Sequence, residues 1–158
     1  MINIVGPVYP ICPVFKKNQD LDLIKTKKYI TYLLNRGAKN LMITAGTSRI
    51  NLLSDVELSK LNKLVAEECS KSKRISITSN HIYGDLNKTK KFINESIKFK
   101  AKAIMIYFSE RYYNDKQLIN FFKEIDRICK NKIVFLIHAF QLRNENPNKK
   151  KFISIPKN

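Results

Sequence analysis

Leu41-Met42-Ile43-Thr44-Ala45-Gly46-Thr47-Ser48-Arg49-Ile50-Asn51-Leu52-Leu53-Ser54-Asp55-Val56-Glu57 reads as three things in a row. Leu41 to Ala45 is a short apolar run of the length of a buried parallel strand. Gly46-Thr47-Ser48 is a small hydroxyl-rich turn at the C-terminal end of that strand. Ser54-Asp55-Val56-Glu57 is a capping box, so a helix starts at about Asp55. Strand, polar loop and capped helix make one β/α unit, and such units carry their chemistry in the loop after the strand. The hydroxyls of Thr47 and Ser48 can pass protons or hold a carboxylate or phosphate. The bland alternative is a turn whose hydroxyls bond its own backbone, which is the commoner fate of such turns.

The same unit recurs on both sides. Ile2 to Val8 is a candidate first strand, followed by a proline-punctuated loop, residues 9–15, that neither a helix nor a central strand tolerates. Leu23 to Asn35 has apolar residues at helical spacing behind a cap at Asp22, and Gly37 ends it. Asn40 to Ala45 is the second strand and Asp55 to Lys71 the second helix. Arg74 to Ser79, Ala103 to Phe108 and Ile133 to Ile137 read as further strands. Asn87 to Lys100 and Asp115 to Cys129 read as the intervening helices. Strands recur roughly every 30 to 35 residues, each followed by a helix up to the last, as parallel β/α units require. Right-handed crossovers then place the strand C-termini on one rim. Cys12, Thr47, Ser48, His81 and Tyr83 meet there, as do Glu110 to Tyr113, His138 and Arg143. The four glycines form no phosphate-cradling pattern, so a dinucleotide-binding or P-loop reading has little support.

Composition narrows the class. The chain has 158 residues, 44% of them hydrophobic, enough for one domain with a core. No apolar run approaches the ~18 residues that span a bilayer. The first residues carry no basic charge ahead of their apolar part and are broken by prolines, unlike a signal peptide. Cys12, Cys69 and Cys129 lie far apart, which fits a reducing cytoplasm and argues against a disulfide framework or a zinc site. The net charge of +17 raises nucleic acid as a partner. The lysines, however, are spread along the whole chain, and their clusters at Lys25–Lys28, Lys71–Arg74, Lys88–Lys91 and Lys149–Lys151 are not interleaved with aromatics, which argues against that partner. Lys, Asn and Ile abound together, as an AT-rich genome encodes by default.

The residues now resemble a known family. Gly6, Pro10, Pro13 and Phe15 ahead of Asp22 are similar to its opening glycine, Thr-Pro-Phe and helix-starting Asp. Gly37-Ala38, Ala45-Gly46-Thr47-Ser48 and Leu53-Ser54 with Glu57 are similar to its Gly-Val/Ala, Gly-Thr-Thr-Gly-Glu and Leu-Ser-x-x-Glu series. The family is dihydrodipicolinate synthase / N-acetylneuraminate lyase, class I aldolases on a β/α barrel. The resemblance runs from about Gly6 to Arg143. It implies an α/β fold, a partial (β/α)8 TIM barrel of about the first five β/α units. Residues 1–143 would be the partial barrel domain and 144–158 a polar tail. It also implies a pyruvate-like 2-oxo acid substrate held as a Schiff base on a sixth-strand lysine, with no cofactor or metal. By position, Thr47 and Ser48 resemble the proton-relaying Thr pair, and Tyr112 or Tyr113 the fourth-strand tyrosine. His138 stands where the fifth-strand tyrosine is, and Arg143 where the carboxylate-binding arginine is. A guanidinium is suited to that contact, and an imidazole titrates near neutrality and can still move a proton.

Three departures set the expectations. Arg49-Ile50 replaces the Gly-Glu after the Thr pair, His138 replaces tyrosine, and the chain ends soon after the fifth strand. A sixth-strand lysine is therefore missing, and a Schiff-base lysine has to be desolvated. The expectation is a fragment of a cytoplasmic lyase, inactive at this length. An open parallel sheet should need a homo-oligomer or the missing C-terminal half to cover it. The alternatives are a non-catalytic remnant that binds a small carboxylate and, ranking below it, a basic nucleic-acid-binding domain.

Overall fold

The structure is a computed structural model that describes residues 4–82, 84–107 and 114–138. The expected boundary between residues 143 and 144 lies outside them. Five strands, β1 (Val8–Pro10), β2 (Asn40–Met42), β3 (Ile75–Ser79), β4 (Ala103–Tyr107) and β5 (Val134–His138), form one sheet in sequence order. Every neighbouring pair is parallel. Helices α1 (Leu23–Asn35), α2 (Asp55–Lys71), α3 (Leu86–Lys98) and α4 (Asp115–Cys129) form the crossovers. The expected α/β architecture of five β/α-barrel strands is what the chain adopts.

Helix starts follow the side chains that cap them. Asp22, Ser54, Asp85 and Asn114 each accept from a backbone N–H of the first turn. At α2 the box is closed from both sides: Ser54 Oγ accepts from Glu57 N–H at 3.3 Å, and Glu57 Oε2 accepts from Ser54 N–H at 2.9 Å. Glu57 Oε1 also accepts from Leu21 N–H at 3.4 Å, tying the start of α2 to the approach to α1. These bonds favour the carboxylate and hold the Glu57 pKa below its ordinary value.

Each helix returns to the sheet through a left-handed residue: Gly37, Lys73, Lys100 and Asn131. Glycine and asparagine take that conformation readily, whereas a lysine costs on the order of 1 kcal/mol.

One face of the sheet is covered by helices. Leu41, Thr78, Ile104 and Ile106 share it by register, and Thr78 Oγ1 donates to Ser96 Oγ of α3 at 2.8 Å. Leu58, Leu61, Val65, Phe92 and Ile93 are fully buried there, each worth roughly 1.5–3 kcal/mol of burial. The opposite face carries Met42, Ile77, Met105 and Leu136, and ends at Tyr107 and His138.

Several boundaries differ from the sequence reading: β2 ends at Met42 and not Ala45, β3 starts at Ile75 and not Arg74, α3 runs Leu86–Lys98 and not Asn87–Lys100, and two strands are displaced. The first strand is Val8–Pro10, displaced into the stretch read as a proline loop. The Asn40 amide donates to the carbonyls of Val5 and Pro7 at 2.7 and 3.1 Å and holds that segment out of the ladder. Pro10 is tolerated because β1 is an edge of the described sheet. The fifth strand is shifted by one residue, to Val134–His138, because its register with β4 sets Tyr107 opposite His138.

At the C-terminal end of the sheet two amides continue the ladder. Asn62 of α2 donates to Ser79 O at 2.8 Å and accepts from Ser79 N–H at 3.0 Å. Asn80 does the same for Tyr107, donating to its carbonyl at 2.9 Å and accepting from its N–H at 2.8 Å. Both asparagines are buried.

Asn80→Ala strands the N–H and C=O of Tyr107, so urea unfolding should show a loss of about 3 kcal/mol; a loss under about 1 kcal/mol contradicts this role. For Glu57 the depressed pKa fixes the sign. Its stabilisation is complete above its ordinary pKa of 4.5 and is lost as pH falls through the lower folded-state value. Glu57→Gln should therefore be less stable than wild type at neutral pH, with the gap closing below pH 4.5. A gap of constant size at acid pH would exclude the charged contact as its cause.

Candidate functional site

The site lies where the strands end. After β2 the chain makes one further ladder bond, Ile43 N–H to Ile77 O at 2.9 Å, and then turns through Gly46 to Arg49. Ser48 closes that turn. Its hydroxyl donates to Ile11 O at 2.6 Å and accepts from Thr44 N–H at 3.0 Å. It is fully buried, and its proton is committed to the backbone after β1. Thr47 is exposed beside it. The hydroxyl pair is thus split: one group locks the loop and the other faces outward.

Arg49 follows with φ of 52°, in the left-handed region. This is where the resembled series has glycine, and the backbone keeps the shape a glycine would take. The three residues after it, Ile50–Leu52, form a short 3-10 turn that the sequence reading did not include.

Tyr107 is the group the sequence reading passed over. It ends β4 and is 2% exposed. Its hydroxyl crosses β3 to the end of β2 and accepts from Ala45 N–H at 2.7 Å. The phenol therefore sits two residues from Thr47. Burial raises its pKa, and the Ala45 N–H only partly offsets this. It stays protonated at neutral pH and holds a proton to donate. The signal was present in the sequence: Tyr107 closes an otherwise apolar strand, in phase with Ala103 and Met105.

His138 is its register partner on β5, with ring centroids 5.0 Å apart. His81, in the loop after β3, has Nε2 3.2 Å from Leu53 O. Cys12 is exposed after β1, close enough to Tyr29 to help raise the tyrosine pKa, although burial is the larger cause. Tyr83, Glu110, Arg111, Tyr112, Tyr113 and Arg143 lie outside the described residues. Among the described residues, then, Thr47, Ser48, Tyr107 and His138 stand at the ends of β2, β4 and β5. Tyr107 and His138 bring a phenol and an imidazole to the face without helices, Thr47 is exposed after β2, and the Ser48 hydroxyl is taken up by the backbone. No three His, Cys, Asp or Glu side chains among the described residues come close enough together to hold a metal ion. No described helix is long and apolar enough to cross a membrane.

No protein-family model matches the sequence, and no curated protein matches it. Solved structures match its fold. N-acetylneuraminate lyase from Mycoplasma synoviae has a TM-score of 0.70 at 22% identity, over 82% of this chain and 44% of that one. Dihydrodipicolinate synthase from Oceanobacillus iheyensis has a TM-score of 0.70 at 14% identity, over 82% of this chain and 43% of that one. YagE of E. coli K12, a prophage protein of the dihydrodipicolinic acid synthase family solved with pyruvate, has a TM-score of 0.71 at 14% identity, with the same coverage. The chain spans under half the length of these structures. In fold it is the N-terminal part of a dihydrodipicolinate synthase / N-acetylneuraminate lyase-type β/α barrel.

Proposed function

We propose that this chain supplies the first half of the rim of a pyruvate-type 2-oxo acid lyase/aldolase, and that its 158 residues alone bind the oxo acid without forming an imine. The observation that carries the reading is the Tyr107 hydroxyl held against the end of β2, next to Thr47 and beside His138. The fold match to pyruvate-binding YagE supports it. Tyr107 donates to an oxygen of the oxo acid. His138, with Tyr112 or Tyr113 from the β4 loop, handles protons, and Arg143 takes the carboxylate.

Imine formation needs a lysine amine kept neutral by burial. None of the five strands carries a lysine. The imine lysine belongs to a sixth strand, from polypeptide beyond residue 158 or from a second chain. The protein in its source cells should then be heavier than 18.5 kDa, or be found as an oligomer that completes the sheet. A cytoplasmic location goes with this reading.

A second reading, a carboxylate-binding remnant with no lyase chemistry in any assembly, is favoured by Ser48, whose proton is bound to Ile11 O and not offered to a ligand.

Titrating the 158-residue chain with pyruvate should shift the Tyr107 and His138 resonances saturably. Tyr107→Phe should weaken binding about tenfold or more, the value of one hydrogen bond to a charged ligand. Borohydride with pyruvate should leave the intact mass unchanged. No shift at either residue would remove the oxo-acid reading. A reduced lysine adduct would show that the imine forms without a sixth strand. An adduct made by the complete assembly separates the lyase from the remnant.

A further inference from the structure

The four turns that lead from helix to strand lie at the end of the sheet opposite the candidate site. Residues 36–40 carry Arg36 and Lys39, and residues 71–75 carry Lys71, Lys73 and Arg74. Residues 98–103 carry Lys98, Lys100 and Lys102, and residues 129–134 carry Lys130 and Lys132. None of the four turns holds an Asp or Glu. Every one of these cations is exposed except the half-buried Arg74.

The nearest carboxylates stand one helical turn back. Glu68 pairs with Lys27 at 3.6 Å and Lys71 at 2.6 Å, and Glu95 lies 4.0 Å from Lys91. Glu67, which pairs with Lys63 at 3.8 Å, and Asp126, on α4, are the others. Among the described residues, no other cation of the four turns is in an ion pair.

Complementing the helix dipoles takes about one cation at each helix end. Lys39, Lys102 and Lys132 stand beyond the helices, at the entrances to strands. Lys73 and Lys100 occupy left-handed positions that Gly37 and Asn131 fill in the equivalent turns. Charge is thus kept at two sites where glycine would be the more stable choice, a mark of a functional surface.

We propose that this end of the sheet docks nucleic acid through its phosphates and not its bases. Neighbouring strands are about 4.8 Å apart, so the turns set their cations in a row that can follow a phosphate backbone. Among the described residues the face has no stacking platform: its exposed aromatic ring, Tyr32, lies under Arg36 at 5.4 Å. Among the described residues it also has no cluster of exposed apolar side chains for a membrane-binding surface. Exposed Ile24, Leu52 and Val56 lie at the other end, leaving Val5 and Tyr32 here.

The test is the anisotropy of a labelled mixed-sequence DNA duplex of about 20 base pairs, titrated with the 158-residue chain over a range of salt. Log affinity should fall against log salt with a slope of about −4 or steeper, each phosphate contributing about 0.9. A scrambled duplex should bind equally. The Lys73→Gly, Lys100→Gly double variant should melt several degrees higher and yet bind with a slope shallower by about 1.8. Lys17→Gln with Lys25→Gln, at the opposite end, should leave binding unchanged. Absent or salt-independent binding overturns the proposal, as does an equal loss from the opposite-end pair. Binding to phosphatidylserine vesicles but not to the duplex would assign the face to an anionic membrane and overturn it too.

Discussion

The site rests on how a parallel sheet ends. A strand that stops leaves backbone N–H and C=O groups facing its former neighbour, and buried groups of this kind must be paired. Here side-chain amides pair them. Asn62 completes Ser79, and Asn80 completes Tyr107. An amide presents one donor and one acceptor in a plane, as a peptide does, so each asparagine acts as one more residue of a missing strand. Because Asn80 grips both backbone groups of Tyr107, the phenol leaves β4 along a fixed line and meets Ala45 N–H. Moving one amide would move the hydroxyl, and with it the relation between the ends of β2, β4 and β5.

The same constraint explains Ser48. The turn after β2 leaves Ile11 O and Thr44 N–H to be satisfied, and one hydroxyl serves both. A second catalytic-looking group is thereby used as structure. Thr47 stays exposed after β2, and the buried Tyr107 hydroxyl reaches the same place from β4.

Much of this was legible in the residues. The capping box at Ser54–Glu57, the αL glycine at Gly37 and the helical periodicities fixed α1, α2 and α4 to the residue. Those signals are local, and local chemistry decides them. β1 and β5 were misplaced because strand limits depend on a partner: Asn40 holds the chain off the ladder before Val8, and Tyr107 pulls His138 into it. Tyr107 itself was hidden by its company. At the end of an apolar strand it reads as core, and its hydroxyl gains meaning once Ala45, far away in sequence, is seen against it. Thr47, Ser48 and His138 were legible as rim residues from topology alone. Their division into structural and outward-facing groups was not, since it turns on one hydrogen bond to Ile11.

Charge was the feature most altered by folding. Along the sequence the lysines are scattered, which argued against a nucleic-acid surface. Parallel topology sorts them. Every helix starts at the site end and finishes at the other, so the capping and first-turn acids Asp22, Asp55, Glu57, Asp85 and Asp115 gather at one end. The turns that follow the helices gather at the other. Dipole complementarity favours that polarity, but it acts on the last turn of each helix and has no hold on Lys39, Lys102 or Lys132. Those three, together with lysines kept at φ of 55° and 61°, are charge in excess of what the fold requires. The site end carries hydroxyls and an imidazole, while the far end carries a run of cations. The sheet between them lets the two surfaces be altered independently.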